Sequence, residues 1–209
     1  MVRIGSRLAD IGTDHAYLPV SLILDGKIKN AIAADLRKGP LENAEATVSS
    51  YSVADRVELR LSDGLNALCP DEVDDIVIAG MGGILISEIL QAAAWVKNEK
   101  IQLILQPQSH DEVLRKWLWD NGFEITKEDS ALEDGKAYIC MAAVYCGQRT
   151  DHTDAEILLG RFYKRNDEAS AAFCKNKLRG VRVRLEALKA SSPESEEITA
   201  LQKILDEVK

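Results

Sequence analysis

Short apolar runs alternate with amphipathic stretches over the first 122 residues of the chain. The runs are four or five residues long, and apolar residues recur every three or four positions in the stretches that follow most of them. Such runs are typical of buried strands, and the longer spacing is typical of helices that pack on a sheet. The pattern predicts strands at residues 7–11, 31–34, 57–61, 75–79 and 101–105, with helices at about 15–24, 40–51, 83–90 and 113–118.

The pattern changes after Gly122. Residues 123–126 and 137–146 have the composition of strands with no helix between them, and a turn at Glu133–Lys136 joins them. A repeat of strands and helices that closes with a β-hairpin predicts an α/β fold. We expect a Rossmann-like, mostly parallel sheet that carries one antiparallel strand.

The last third of the chain is predicted to be helical. Residues 147–153 are polar and contain turn residues, which indicates a domain boundary. Two sets of apolar residues with the three-four-three spacing of a coiled-coil seam flank a turn at 191–194. We therefore predict a nucleotide-binding domain at residues 1–150 and, at 151–209, a helix continuing to Ala190 followed by a second one, which form an antiparallel coiled-coil hairpin. The seams are Leu178, Val181, Leu185 and Leu188, and Ile198, Leu201, Leu205 and Val208.

The chain has the composition of an ordinary globular protein, but its charges are distributed unevenly. The 209 residues are 46% hydrophobic and 29% charged, with a net charge of −8. Residues 161–189 nevertheless carry nine basic and three acidic residues, a net +6 that leaves −14 on the rest of the chain. An acidic body with a basic arm favours a nucleic-acid partner, although a solvated helix face is an alternative explanation.

Cysteine usage and the amino-terminal sequence indicate a cytoplasmic protein. The four cysteines form no C-x-x-C pair, and no apolar leader precedes the first strand. We therefore expect reduced thiols, no signal peptide and no metal site.

The loop after the first predicted strand indicates the kind of ligand. A dinucleotide loop of this fold class uses G-x-G-x-x-G, whereas this chain has one glycine, Gly12, followed by Thr13, Asp14 and His15. A carboxylate at this place repels phosphate and suits a cation. The loop therefore favours a positively charged adenosine derivative without phosphate, for which S-adenosylmethionine is the candidate. An acid at a strand end can alternatively be a helix N-cap.

Three further strand ends carry residues suited to the same ligand. Asp35 closes the second strand, where related folds place an acid on the ribose hydroxyls. Asp63 and Gly64 end the third strand, where a carboxylate could accept from an adenine amino group, and Gly80 begins a glycine cluster after the fourth. A helix cap, an Asp-Gly turn and helix packing are the respective structural alternatives.

Three motifs resemble the bacterial tRNA (adenine(22)-N1)-methyltransferase family: DIGTDHAYLP at residues 10–19, IAGMGG at 78–83 and LQP at 105–107. The resemblance covers nearly the whole chain and implies a class I methyltransferase fold, S-adenosylmethionine as the methyl donor and a tRNA adenosine in the D-arm region as the acceptor. It also implies that the first loop and Gly80 hold the methionine end, Asp35 the ribose and Asp63 the adenine. Members usually carry a helix before the first strand, and this chain begins almost at that strand.

From these considerations we predict three groups of site residues. The predicted cofactor site comprises Asp10, Gly12, His15, Asp35, Leu36, Asp63, Gly64 and Gly80. The residues predicted to position the target base are Asp14, Tyr17, Gln106 and His110. The residues predicted to contact tRNA are Arg161, Lys164, Arg165, Lys175, Arg179 and Arg182.

Two other classes of function are compatible with the same residues. The protein could methylate a small molecule or a protein, with the helical hairpin serving oligomerisation. It could also be a non-catalytic nucleotide-binding module whose coiled coil binds a partner. Binding of S-adenosylmethionine and methyl transfer to bulk tRNA separate these alternatives.

Overall fold

A seven-stranded mixed sheet forms the centre of the protein. The computed structural model describes residues 1–208. The strands are β1 (Leu8–Ile11), β2 (Ala31–Asp35), β3 (Val57–Leu61), β4 (Asp75–Gly82), β5 (Gln102–Ser109), β6 (Phe123–Glu133) and β7 (Lys136–Tyr145). Their order is β3-β2-β1-β4-β5-β7-β6, in which the first five strands are parallel and β7 runs antiparallel to both of its neighbours. The predicted Rossmann-like sheet with a terminal hairpin is confirmed.

Helices cover both faces of this sheet. They are α1 (Tyr17–Leu24), α2 (Lys38–Ser50), α3 (Gly83–Ala92), α4 (Asp111–Asp120), α5 (Asp154–Leu159), α6 (Glu168–Ser191) and α7 (Glu196–Glu207). Successive strand residues point to opposite faces, so β1 places Leu8 in the core under α1 and α2 and Ala9 in the larger core on the other side. Both faces of the central strands are therefore apolar, as the continuous apolar runs predicted.

The strand register aligns the carboxyl ends of the central strands. Ile11 at the end of β1 pairs with Ala34 of β2 and with Ile78 of β4. Ala79 in turn pairs with Gln106 of β5. Because the chain crosses from one side of β1 to the other between β3 and β4, this edge is the place where open α/β sheets bind ligands.

Three strands are longer than the sequence pattern predicted. The residues expected to form a loop after the fifth strand continue β5, because Pro107 and Ser109 pair with Met81 and Gly82 of the extended β4. Strand β6 likewise continues to Glu133, because it pairs with β7 along its whole length. Pairing with a neighbouring strand, which local composition does not reveal, sets these lengths.

The predicted continuous helix up to Ala190 is wrong. Helix α5 ends at Leu159, a short 3₁₀ turn follows, and α6 begins at Glu168. Gly160 has a φ of 57°, and the carboxylate of Glu128 occupies the space that a side chain at this position would need. Asp167 then caps α6 by accepting a hydrogen bond from the backbone N–H of Ser170 at 2.9 Å.

Helices α6 and α7 pack against each other as a hairpin. Of the first predicted seam, Val181, Leu185 and Leu188 are buried, and Leu178 is partly buried against the larger apolar core. In α7 the buried residue is Ile204, which the prediction omitted, whereas the predicted seam residues are only partly buried: Ile198, Leu201, Leu205 and Val208. Helix α7 returns along α6 to α5, where Glu207 accepts a hydrogen bond from the hydroxyl of Thr153 at 2.6 Å.

A buried ionic cluster attaches the carboxyl-terminal helices to the sheet. Arg115 of α4 is fully buried, and its Nε donates to Glu128 of β6 at 3.0 Å. Its Nη1 donates to Asp111 at 3.3 Å and to the carbonyl of Ile157 in α5 at 2.7 Å. Phe173 of α6 also belongs to the larger apolar core, which is therefore continuous across residue 150. The division into two domains at residue 150 stays a prediction. The last residue of the predicted second domain, Lys209, lies outside the described residues.

Candidate active site

The loop after β1 is held against β2 by backbone hydrogen bonds. The N–H groups of Gly12 and Thr13 both donate to the carbonyl of Ala34, at 2.8 and 3.0 Å. The buried hydroxyl of Thr13 accepts from the N–H of Ala16 at 3.1 Å. Ala16 has a φ of 54°, which delays the start of α1 to Tyr17 instead of His15. Thr13 therefore shapes this loop, a role that the sequence analysis missed although the residue lies inside the motif.

Asp10 is a buried carboxylate beneath this loop. Its exposed fraction is 8%. Burial raises the pKa of the Asp10 carboxyl to about 6, and a hydrogen bond with Thr13 opposes that shift. At neutral pH the group is a desolvated anion, and such an anion favours a cationic ligand.

Two glycines allow the backbone to form the centre of the edge. A side chain on Gly12 would collide with Met81, whose side chain lies over the β1 loop. Gly80 has a φ of 81°, and no atom lies within 4 Å of the position a Cβ would take. Only glycine adopts this conformation without strain, and the open space lets a ligand approach the backbone closely.

The residues predicted to bind the adenosine part lie at the ends of β2 and β3. Asp35 is 9% exposed, and its Oδ1 accepts from the N–H of Arg37 at 2.8 Å. It is not the N-cap of α2, because that position belongs to Arg37. Leu36 is 64% exposed beside it. After the neighbouring strand β3, Asp63 is exposed, so this part of the edge is open to a ligand. A side chain at Gly64 would crowd Ile89.

A stacked aromatic pair lies at the start of α1. The rings of His15 and Tyr17 stack with their centroids 5.1 Å apart and their planes at 13°. His15 Nε2 lies 3.5 Å from a carboxylate oxygen of Asp14. Tyr17 is 61% exposed, so its outer face is free to stack on another ring.

The end of β5 contributes two of the predicted residues. Gln106 Oε1 accepts from the N–H of Gly80 at 3.0 Å, and Gln106 Nε2 donates to the carbonyl of Pro107 at 3.2 Å. His110 is in the left-handed region with a φ of 53°, and its Nδ1 lies 3.2 Å from the hydroxyl of Ser109. Gln106 thus already has partners for both ends of its amide, which suits a supporting position better than direct contact with a base.

The six predicted tRNA-binding residues have different surroundings. Arg161 and Arg165 donate to β6, to the carbonyls of Ile125 and Glu128 respectively, and Lys164 lies 3.5 Å from Glu156. The other three are exposed on α6, and their side chains have no partner among residues 1–208: Lys175, Arg179 and Arg182. The structure therefore separates two cations that attach this region to the sheet and one that pairs with α5 from three that face solvent.

Residues 1–208 contain neither a metal-binding cluster nor a membrane-spanning helix. Within residues 1–208, no three His, Cys, Asp or Glu side chains are placed so that they could hold a metal ion. None of the described helices is both long and apolar enough to cross a bilayer.

Comparison with known proteins identifies the family. A family model described as "Methyltransferase domain" matches residues 1–141. The tRNA (adenine(22)-N(1))-methyltransferase of Bacillus subtilis is 38% identical over 176 residues, which are 82% of this chain and 73% of that protein. The chain belongs to the tRNA (adenine(22)-N1)-methyltransferase family.

Solved structures of similar proteins share the whole fold of this family member. Streptococcus pneumoniae Sp1610, solved in complex with S-adenosyl-L-methionine, is 31% identical with a TM-score of 0.82, covering 97% of this chain and 94% of that one. M. capricolum TrmK, solved with S-adenosyl-homocysteine, is 26% identical with a TM-score of 0.80, covering 100% and 93%. The similarity in fold between this chain and these two structures therefore includes the carboxyl-terminal helices.

Proposed function

We propose that this protein transfers a methyl group from S-adenosylmethionine to N1 of adenosine 22 in tRNA. The arrangement of residues at the carboxyl edge of the sheet, in a member of this family, supports this proposal most directly. There the buried acids Asp10 and Asp35 flank a loop without phosphate-binding glycines, and Gly80 leaves open space beside them. This edge is suited to a cationic adenosine derivative.

The residues of the edge fit the proposed cofactor. One oxygen of Asp35 is engaged by Arg37, and the other, Oδ2, has no hydrogen bond within residues 1–208 and could accept from a ribose hydroxyl. Asp63 is open to an adenine amino group, with Gly64 and Leu36 beside it. The remaining residues would surround the methionine part: Asp10, Gly12, His15 and Gly80.

The reaction needs positioning more than acid–base chemistry. Bound S-adenosylmethionine supplies an activated methyl group, so that the N1 lone pair of neutral adenine forms the new C–N bond as the C–S bond breaks. No proton has to be removed beforehand. Accurate placement of the two reactants is worth on the order of 7–11 kcal/mol.

Four side chains at the mouth of the edge would place the base. In a base pair N1 faces inward, so the adenosine has to leave its stack before it can react. Tyr17 offers an exposed ring for stacking, and Asp14 can accept from the adenine amino group and balance the cationic product. His110 lies beside the same edge. Gln106 supports this edge by accepting a hydrogen bond from the N–H of Gly80.

The carboxyl-terminal helices would bind the body of the tRNA. Lys175, Arg179 and Arg182 lie on one side of α6, where they present three unpaired cations to solvent. Phosphate contacts supply most of the affinity in such complexes. We assign tRNA binding to residues 151–209 and place the reaction in the cytoplasm with its substrate.

Nucleoside mass spectrometry tests this function directly. Bulk tRNA is incubated with the protein and S-adenosylmethionine that carries a labelled methyl group, then digested to nucleosides. Labelled N1-methyladenosine is the expected product, and a tRNA in which adenosine 22 is replaced should not yield it. Cofactor binding without labelled tRNA would favour a small-molecule or protein substrate, and absence of cofactor binding would favour a non-catalytic module.

A further inference from the structure

His110 joins the end of β5 to the start of α4 at the candidate active site. Its backbone lies against the start of α3, because a side chain at Gly83 would collide with the carbonyl oxygen of His110. Its imidazole, in contrast, is exposed, and its hydrogen-bond partner is the hydroxyl of the adjacent residue Ser109. The place of this ring therefore depends on how the first turn of α4 is held.

The first turn of α4 contains two acidic residues, and one lysine of α6 pairs with both. Lys177 Nζ lies 2.7 Å from a carboxylate oxygen of Glu112, and it also contacts Oδ1 of Asp111. Asp111 is buried, and its other oxygen accepts a hydrogen bond from the fully buried Arg115 at 3.3 Å. The turn that follows His110 is therefore held from inside the core by one cation and from α6 by another.

Lys177 lies on the inner side of α6. Lys175 and Arg179, which are proposed to contact phosphate, are each two residues away, and two residues are more than half a turn of a helix. Lys177 Nζ also lies 5.7 Å from the ring centroid of Phe173, a core residue of the same helix. The other ion pairs of α6 cations within residues 1–208 stay inside the helical hairpin: Arg184 with Glu197, and Lys189 with Glu186.

We propose that Lys177 is a positioning residue for methyl transfer, which fixes His110 relative to the helix that binds tRNA. Through Asp111 and Glu112 it joins the first turn of α4 to α6, whose opposite side carries the cations proposed to contact the phosphates. Without the ammonium group these two carboxylates lose their common partner and repel each other, so that the turn shifts. The proposal rests on the proposed function, because it takes the role of His110 from it.

Single-turnover methylation of tRNA tests this role. Lys177→Met removes the charge and keeps an unbranched side chain beside Phe173. The rate at saturating tRNA should fall roughly 10- to 100-fold, since a misplacement of about 1 Å can cost that much. The affinities for tRNA and S-adenosylhomocysteine should stay near those of the wild type, because Lys177 faces inward. Lys177→Arg keeps the charge and should recover most of the rate. The matched control is Lys116→Met, which breaks an exposed lysine–aspartate pair of α4 and should keep the rate.

A double-mutant cycle decides whether Lys177 acts through His110. If it does, Lys177→Met should slow the His110→Ala variant much less than it slows the wild type. A merely structural role would lower the rate by the same factor in both backgrounds. Equal factors, or a wild-type rate in Lys177→Met, would overturn the proposal. Glu112→Gln weakens the same turn but leaves the buried Asp111 paired, so it repeats the cycle if Lys177→Met does not fold.

Imidazole NMR signals separate this proposal from the proposed function. The chain has three histidines. The ring signal of His110 should move in Lys177→Met and return in Lys177→Arg, whereas His15 and His152 should keep theirs. An unmoved His110 signal would overturn the positioning role. A wild type that does not methylate tRNA would contradict the proposed function, while this signal would still decide whether Lys177 places His110.

Discussion

The side-chain oxygen Oε1 of Gln106 accepts a hydrogen bond from the backbone N–H of Gly80 at 3.0 Å. This bond joins the ends of β4 and β5 at the residue where the backbone has a φ of 81°. Gln106 Nε2 is held by the carbonyl of Pro107, which fixes the orientation of the amide. A side chain predicted to touch the target base thus supports the turn predicted to hold the cofactor.

Replacing Gln106 tests this supporting role. Gln106→Leu removes the acceptor for Gly80, and loss of one hydrogen bond is worth about 0.5–1.5 kcal/mol. The dissociation constant for S-adenosylhomocysteine should rise roughly 2- to 12-fold by calorimetry. Gln106→Glu keeps an acceptor at the same place and should bind nearly as the wild type does. Equal affinity in the leucine variant would show that the bond does not shape the cofactor site.

Asp35→Ala tests the proposed contact with ribose. A hydrogen bond to a charged acceptor is worth about 1.5–3 kcal/mol, so the dissociation constant for S-adenosylmethionine should rise roughly 10- to 150-fold. Asp55→Ala is the control, because that acid is exposed near the amino end of β3, away from the edge. Calorimetry that gives the same affinity for Asp35→Ala and wild type would remove this residue from the site.

Tyr17→Ala and Asp14→Ala test the placement of the target base. Both should lower the turnover of tRNA far more than they weaken tRNA binding, because one displaced base contributes little beside many phosphate contacts. The control is Tyr51→Ala, which removes a tyrosine that is 52% exposed at the end of α2. Single-turnover methylation and gel-shift titration give the two quantities. Turnover that survives both changes would mean that other residues hold the base.

Asp10→Asn tests the buried carboxylate through stability. The pKa of Asp10 is raised from 3.8 to about 6 in the folded protein, so the unfolded state releases this proton at lower pH. The folded protein therefore loses stability as the pH rises from the lower of these pKa values to the higher. The uncharged variant lacks this penalty. Its stability advantage over the wild type in urea should grow by about 1–2 kcal/mol between pH 5 and pH 8. A constant difference across that range would contradict the raised pKa, and Asp55→Asn provides the exposed control.

Charge reversal tests the exposed basic residues of α6. Changing Lys175, Arg179 and Arg182 to Glu should weaken tRNA binding strongly at physiological salt and leave cofactor affinity intact. The salt dependence should also become shallower, since each lost phosphate contact removes roughly 0.7–0.9 from the logarithmic slope. The control reverses three exposed lysines at the opposite, amino-terminal edge of the sheet: Lys29, Lys97 and Lys100. If only the control weakens binding, tRNA docks on another surface.

The order of the elements and the position of the ligand edge follow from the local pattern of the sequence. Buried strands and surface helices have different spacings of apolar residues, and these spacings are visible in the sequence without knowledge of the fold. Parallel strands that alternate with helices then bring their carboxyl ends to one edge. The sequence pattern therefore predicts that the acids at positions 10, 35 and 63 lie together with Gly80.

The roles of individual polar side chains, in contrast, depend on the packing of the elements. An arginine on a helix usually faces solvent, yet Arg115 lies in the core between Glu128 and Asp111. Arg161 and Lys175 belong to one basic stretch of sequence, but the first donates to β6 and the second faces solvent. Such partners are distant along the chain and come together only when the elements pack. A charged residue has no fixed role in the sequence, because its energy depends on which partner and how much water the fold leaves beside it.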